Sequence, residues 1–202
     1  VASSVPPLVK ARPLIRKAAP MTLIETRFTG AWIIEPRVFV DQRGWFMESW
    51  NRQTFAEHGI DAEFVQDNHS RSCLNTVRGL HFQSPPAAQA KLVRCVLGTV
   101  WDVIVDIRMG SATYGTWEGH ELSASNFRML YVPIGFAHGF CVLSETAEIQ
   151  YKCSTFYAPA CGRGVAWDDP GLGIDWPVHE PLLSDQDRRH PRLQDLPAYF
   201  EA

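Results

Sequence analysis

Four side chains in this sequence are of kinds that move protons or steady developing charge, and each sits in a segment that should aim it. His81 lies in RGLHFQSPPAAQAK, residues 78–91, a stretch that reads as strand, proline turn, strand. With a side-chain period of two, it shares a strand face with Gly79 and Gln83, while Leu80 and Phe82 take the other. A neutral imidazole is well matched to accepting a proton near pH 7. Lys91 closes the stretch. Residues 21–202 hold only Lys91 and Lys152 against 13 arginines, so a lysine heading the apolar strand LVRCVLG calls for a reason. Its compact ammonium could meet negative charge growing on an oxygen. Tyr151 shares a face with Ile149 and Cys153, which points its ring inward, where a phenol can donate a proton. Asp187 in LLSDQD follows Ser184 by three residues.

Each of these has a plainer reading from its own surroundings. His81 could be a hydrogen-bonded core histidine, Tyr151 a core tyrosine with a satisfied hydroxyl, and Lys91 a strand-end lysine in solvent. Asp187 could simply complete a helix start. Lys152 alternates with Glu148 and Gln150 and reads as part of a solvated face.

PIGFAH, Pro133 to His138, has the P-x-G-x-x-H spacing that resembles the second half of a cupin motif. In metal-binding cupins the first half supplies two histidines one residue apart and then a glutamate. Here the matching stretch is GLHFQ, with Gln83 in place of the second histidine and no Asp or Glu from Gln83 to Gly98. Two imidazoles without a carboxylate make a poor site for a hard or borderline divalent ion. The expectation is that acid–base side chains replace the metal, with no cofactor.

The elements that must hold these groups are strands. From Thr26 onward short apolar runs alternate with turn signals, and VWDVIVDIR sets Trp101, Val103, Val105 and Ile107 on one face and Asp102, Ile104 and Asp106 on the other. At least one of those acids is therefore expected to point into a cavity. Only residues 51–58, capped by Asn51, and 184–189, capped by Ser184, read as helices. Regularly spaced short strands without a repeat period predict an all-β sandwich, jelly roll or barrel, and 202 residues favour one domain over 21–202.

A formal charge of −3 supplies no overall field for nucleic acid or an anionic membrane, so phosphate recognition must come from placed arginines. No apolar run reaches the length of a membrane span. Five scattered cysteines without paired spacing read as buried thiols of a reducing, cytoplasmic setting. Residues 1–20 carry Lys10, Arg12, Arg16 and Lys17 with no acid and fail as a secretory signal. They are read as vector sequence or an upstream extension before Met21 in preference to a transit peptide, and are expected to be loosely held.

In order along the chain stand VFVDQRGWFMESW, FVQDNHS, RGLHFQ, AKLVRC, WDVIVDIR, YGTW, VPIGFAHGF, AEIQYK, WDDPGLGIDWP and LSDQD. Together they resemble the dTDP-4-dehydrorhamnose 3,5-epimerases from about Thr22 to Pro191. The resemblance implies a metal-free cupin jelly-roll barrel, a homodimer, and a dTDP-linked 4-keto-6-deoxyhexose as substrate. It implies that His81 is the base, Asp187 its carboxylate partner, Lys91 the stabiliser of the C4 enolate oxygen and Tyr151 the acid on the opposite ring face. By the same matching, Arg43 and Arg78 meet the diphosphate, Glu48, Gln66, Asp67 and Asn68 surround nucleotide and sugar, and His138 contacts substrate. Tyr157 and Phe46 are candidates to stack on thymine, with part of the site crossing from a partner subunit.

Gly162 and Gln186 depart from the family pattern, where some members carry glutamate and lysine, and bear on peripheral nucleotide contacts. Three rivals stand beside the double epimerase. They are a single-carbon 3- or 5-epimerase, a metal-dependent cupin using His81 and His138, and a non-catalytic nucleotide-sugar-binding cupin.

Overall fold

Strand alternation sorts the side chains of VWDVIVDIR to two sides of a sheet, and both sides are buried. The computed structural model describes residues 21–202; the expectations for residues 1–20 lie outside them. In chain order the strands are β1 (Met21–Glu25), β2 (Trp32–Pro36), β3 (Val38–Asp41), β4 (Gly44–Met47), β5 (Gln66–Cys73), β6 (Val77–Gln83), β7 (Lys91–Leu97) and β8 (Thr99–Asp106). They continue as β9 (Arg108–Met109), β10 (Trp117–Ser123), β11 (Met129–Val132), β12 (Phe136–Val142), β13 (Thr146–Cys153), β14 (Gly162–Gly164) and β15 (Phe200–Glu201). Six form one sheet in the order β1-β2-β11-β7-β13-β5, and five form a second in the order β10-β8-β12-β6-β14. This is the all-β fold that the strand pattern predicts and the cupin-type jelly roll that the resemblance implies.

The sheets face each other across a shared interior. Val93, Cys95, Leu130, Ala147 and Ile149 of the first meet Val100, Ile104, Leu122, Phe136 and Phe140 of the second. The opposite side of the second sheet, with Leu80, Phe82, Val103, Val105 and Ile107, is covered by Val165, Leu172, Trp176 and Leu193 from the C-terminal segment. The outer side of the first sheet buries Ile34, Leu92 and Met129 against Phe55 and Ile60. Asp102 and Asp106, alternating with those outward residues, therefore turn into the barrel and are fully buried.

Phe55 belongs to α1 (Arg52–Glu57), where the Asn51 side chain accepts from the N–H groups of Gln53 and Thr54 at 3.1 and 3.3 Å. Such a cap stabilises a helix start by about 1 kcal/mol. The helix expected over 184–189 is shorter, a single 3-10 turn at Asp187–Arg189. Ser184 Oγ does accept the Asp187 N–H, at 3.1 Å. Pro191 then holds His190 extended and stops the turn.

One backbone irregularity bears directly on the site. Along β6 and β12 the register pairs His138 with His81 and then, past a shift, Phe140 with Arg78. Since His138 and Phe140 share one face of β12, their partners His81 and Arg78 also face one way, although they are three residues apart. Gly79 makes this possible: its φ is +137°, and a Cβ there would lie 2.6 Å from the Gly139 Cα. Simple parity puts Gly79 beside His81 on that face, and the bulge puts Arg78 there instead.

All five cysteines are free, but only Cys95, Cys141 and Cys153 are buried. Cys73 ends β5 exposed and Cys161 is half-buried in a 3-10 turn, which corrects the expectation of five buried thiols. Among the described residues no helix is long and apolar enough to cross a membrane. The β3–β4 hairpin exposes Phe39, Val40, Trp45 and Phe46, an unusual amount of apolar surface for one turn.

Candidate active site

The second sheet supplies one wall of the site. His81 points from β6 into the interior, and its Nε2 meets Asp187 Oδ1 at 2.5 Å. Asp187 comes from the C-terminal 3-10 turn and is 4% exposed, while the imidazole keeps 39% of its surface open. With the proton on Nε2 donated to that carboxylate, the lone pair lies on Nδ1, the basic nitrogen. Burial pushes the His81 pKa below the usual 6.5, and the hydrogen bond and charge of Asp187 push back. Burial alone would raise the Asp187 pKa, but the nearby His190 imidazole and the hydrogen bond and charge of His81 carry it well below the ordinary carboxylate range. The result is a neutral imidazole beside a carboxylate that stays ionised, the arrangement of a base and its orienting partner.

The facing sheet supplies the other wall. Lys91 shares the inner face of β7 with Val93 and Cys95 and is only 8% exposed, so its solvated reading fails. Its Nζ reaches across the barrel to donate to the His81 carbonyl oxygen at 3.3 Å. Burial lowers the Lys91 pKa, opposed by Cys153 and by Asp102. Tyr151 packs its ring against the interior cluster from β13. Burial and then Cys153 raise its pKa above 10.0, so the phenol holds its proton at neutral pH. Imidazole and phenol thus stand on opposite sheets, with a buried ammonium at the His81 backbone.

A second histidine–aspartate pair lines the same interior. His138 Nε2 meets Asp102 Oδ1 at 2.9 Å, and Asp102 Oδ2 has no hydrogen-bond partner among the described residues. Gln83 does other work: its amide donates to the Ala87 and Phe156 carbonyls and accepts from the Ala158 N–H, fastening two loops. His81, Asp187 and His190 bring three ligand-type atoms within 4.8 Å of one another. Two of them, however, sit at the 2.5 Å of a hydrogen bond. Ligands of one tetrahedral zinc lie about 3.3 Å apart.

Gln66 and Asn68 lie on the inner face of β5, opposite Cys153 and Tyr151, and bond each other at 3.0 Å. Arg78 Nε donates to Ser72 Oγ at 2.8 Å. A cavity of about 480 Å³ is lined in part by Arg78, His81, Ser184 and Asp187. Among the described residues no hydrogen bond or ring contact joins the remaining candidates to His81. Asp67 turns to the outer face of β5 and binds Lys152 at 2.9 Å, because strand parity sends it opposite to Asn68. Arg43 is held in a surface pair with Asp41, Glu48 bonds Asn51, and Phe46 and Tyr157 are exposed. The Tyr157 backbone is tied to Gln66 at 2.8 Å.

His190 was not singled out from the sequence, and Asp102 only as one of two possible inward acids. The signal for His190 was its place three residues after Asp187, immediately before Pro191.

Residues 25–195 match the family described as dTDP-4-dehydrorhamnose 3,5-epimerase. The Shigella flexneri protein of that name is 55% identical over 176 residues, covering 87% of this chain and 97% of the relative. The protein of that name from Salmonella typhimurium is 51% identical over 175 residues, 86% of this chain and 96% of its own. Among solved structures, the dTDP-6-deoxy-D-glucose-3,5-epimerase of Legionella pneumophila, in complex with dTDP-4-keto-L-rhamnose, superposes with a TM-score of 0.87 at 44% identity. That match covers 90% of this chain and 98% of the other. With the barrel, the paired His81 and Asp187 and the inward Lys91 and Tyr151 already described, this chain belongs to the dTDP-4-dehydrorhamnose 3,5-epimerase family.

Proposed function

We propose that this protein inverts C3 and C5 of a dTDP-linked 4-keto sugar with its own side chains alone. It is an isomerase, a dTDP-4-dehydrorhamnose 3,5-epimerase converting dTDP-4-dehydro-6-deoxy-D-glucose to dTDP-4-dehydro-L-rhamnose in the dTDP-L-rhamnose pathway. The C4 ketone acidifies the hydrogens on both flanking carbons. His81 Nδ1 removes one, and Asp187 holds the Nε2 proton and stabilises the imidazolium. Lys91 meets the oxyanion that grows at C4, an interaction on the order of 3 kcal/mol in a dry site. Tyr151 returns a proton to the opposite ring face. A single group serving both roles would hand the proton back to the face it left.

The observation that carries this reading is the disposition of His81 and Tyr151 on facing sheets with the Lys91 ammonium buried beside them. Arg78, Gln66, Asn68 and His138 are proposed to bind substrate from within the chain. Arg43, Phe46, Glu48, Asp67 and Tyr157 lie on exposed surface without a bond to His81 and are proposed to act at the rim or across a homodimer. The exposed apolar hairpin that carries Phe46, 68% exposed, supports that dimer. Residues 21–202 are proposed to act as one domain, and the five free thiols support a cytoplasmic setting.

The test is incubation with the dTDP-4-keto substrate in heavy water. Deuterium should enter at both C3 and C5, with activity indifferent to chelators. Incorporation at one carbon would make the protein a single-carbon epimerase, and binding without exchange would remove the catalytic reading.

A further inference from the structure

The C-terminal segment brings a third imidazole to the His81–Asp187 pair, and the proton transfers above do not use it. The His190 side chain is 9% exposed, and its Nε2 is buried without a partner of hydrogen-bond geometry among the described residues. That nitrogen stands 3.5 Å from Asp187 Oδ1, the oxygen that also faces His81. The ring meets His81 edge-on, with centroids 5.5 Å apart and planes at 75°. β14 leaves room for it: a Cβ on Gly164, the residue paired with His81, would lie 2.4 Å from His190 Nε2. A buried polar nitrogen is costly when unpaired, and hydrogen bonds at catalytic groups are often long until substrate arrives.

We propose that His190 is a positioning residue for the base, its Nε2–H sharing Asp187 Oδ1 with His81, holding the carboxylate in line and drawing part of its charge away from the His81 imidazole. The inference rests on the reading of His81 as the base. Its sign follows from the groups around that ring. Asp187 favours the imidazolium, while Lys91 from β7 and His190 from the C-terminal segment oppose it. His138 on β12 stands opposite His81 but is bonded to Asp102, and Arg78 shares the His81 face of β6. Arg163 of β14 turns away to Tyr199. Without the His190 donor, Asp187 acts on His81 undivided, and His81 binds its proton more tightly.

Two substitutions separate donation from packing. His190→Phe fills the hollow over Gly164 without a donor, and His190→Gln keeps an N–H but loses the ring. The acid limb of kcat/KM for solvent-deuterium exchange should rise by about half a pH unit in His190→Phe, and the NMR titration of the His81 ring should rise with it. His190→Gln should stay with the parent protein in both. The reverse pattern, His190→Phe unchanged and His190→Gln shifted, would show a packing role and overturn the proposal. If circular dichroism shows His190→Phe unfolded, His190→Leu takes its place in the same comparison. His81→Ala is the control. Exchange that survives it removes His81 as the base, whereas His81-dependent exchange with an unmoved limb in the donor-free variant removes only the role of His190.

Discussion

The barrel interior holds two histidine–aspartate pairs on neighbouring strands, and they are built differently. His138 and Asp102 both belong to the second sheet, are 8% and 0% exposed at their side chains, and leave one carboxylate oxygen without a partner among the described residues. His81 stands directly opposite His138 across the ladder, yet its aspartate arrives from the far end of the chain and its ring stays partly open. A base must be dry enough to remain neutral and open enough to reach a carbon acid; only His81 has both properties. The enclosed pair is a fixed polar wall. Its charge also reaches Lys91, where Asp102 opposes the loss of the ammonium proton that burial favours.

The largest separation between the pairs should come from the histidines. His81→Ala should slow deuterium entry into the 4-keto sugar on the order of 10³-fold, while diphosphate contacts keep dTDP bound. His138→Ala should cost about tenfold, mostly through KM, because it loses contact with substrate and not the proton acceptor. Equal losses would erase the distinction. Lys91→Met comes next, with kcat lower by on the order of 10²-fold and KM little changed, since the oxyanion exists only as the reaction proceeds.

The aspartates sharpen the comparison at smaller scale. Asp187→Asn removes the charge that stabilises the imidazolium and should lower kcat by about 10²-fold. Asp102→Asn should cost only about tenfold and act through Lys91, visible as a basic limb of the pH profile moved to lower pH. In the parent protein the acid limb should fall below pH 6.5, because burial lowers the His81 pKa and protonation removes the lone pair proposed to accept the substrate proton. A limb above 6.5 would mean that Asp187 outweighs desolvation.

Much of this arrangement was legible beforehand. Alternation in VWDVIVDIR assigned both faces of β8 correctly, because an interior strand obeys parity when its hydrogen-bond ladder is regular. Asn51 identified α1, since a cap is a local hydrogen bond between near neighbours. Parity misled at Gly79, where the bulge exchanges one residue for another on the inner face, a feature decided by how closely β6 approaches β12. The helix read over 184–189 shrank to one turn, in which Asp187 bonds His81 and which ends ahead of a proline.

By itself the sequence determined the strand pattern, the scarcity of lysine that marked Lys91, and the motif set that carries the family. Those are local or ordered properties of the chain, readable without knowing what touches what. The tertiary structure decided which sheet each candidate acid–base group stands on, that 106 residues of separation close to a hydrogen bond between His81 and Asp187, and that His190 stands beside them. Such pairings depend on long-range packing of the C-terminal segment against the second sheet, and no period or spacing encodes that.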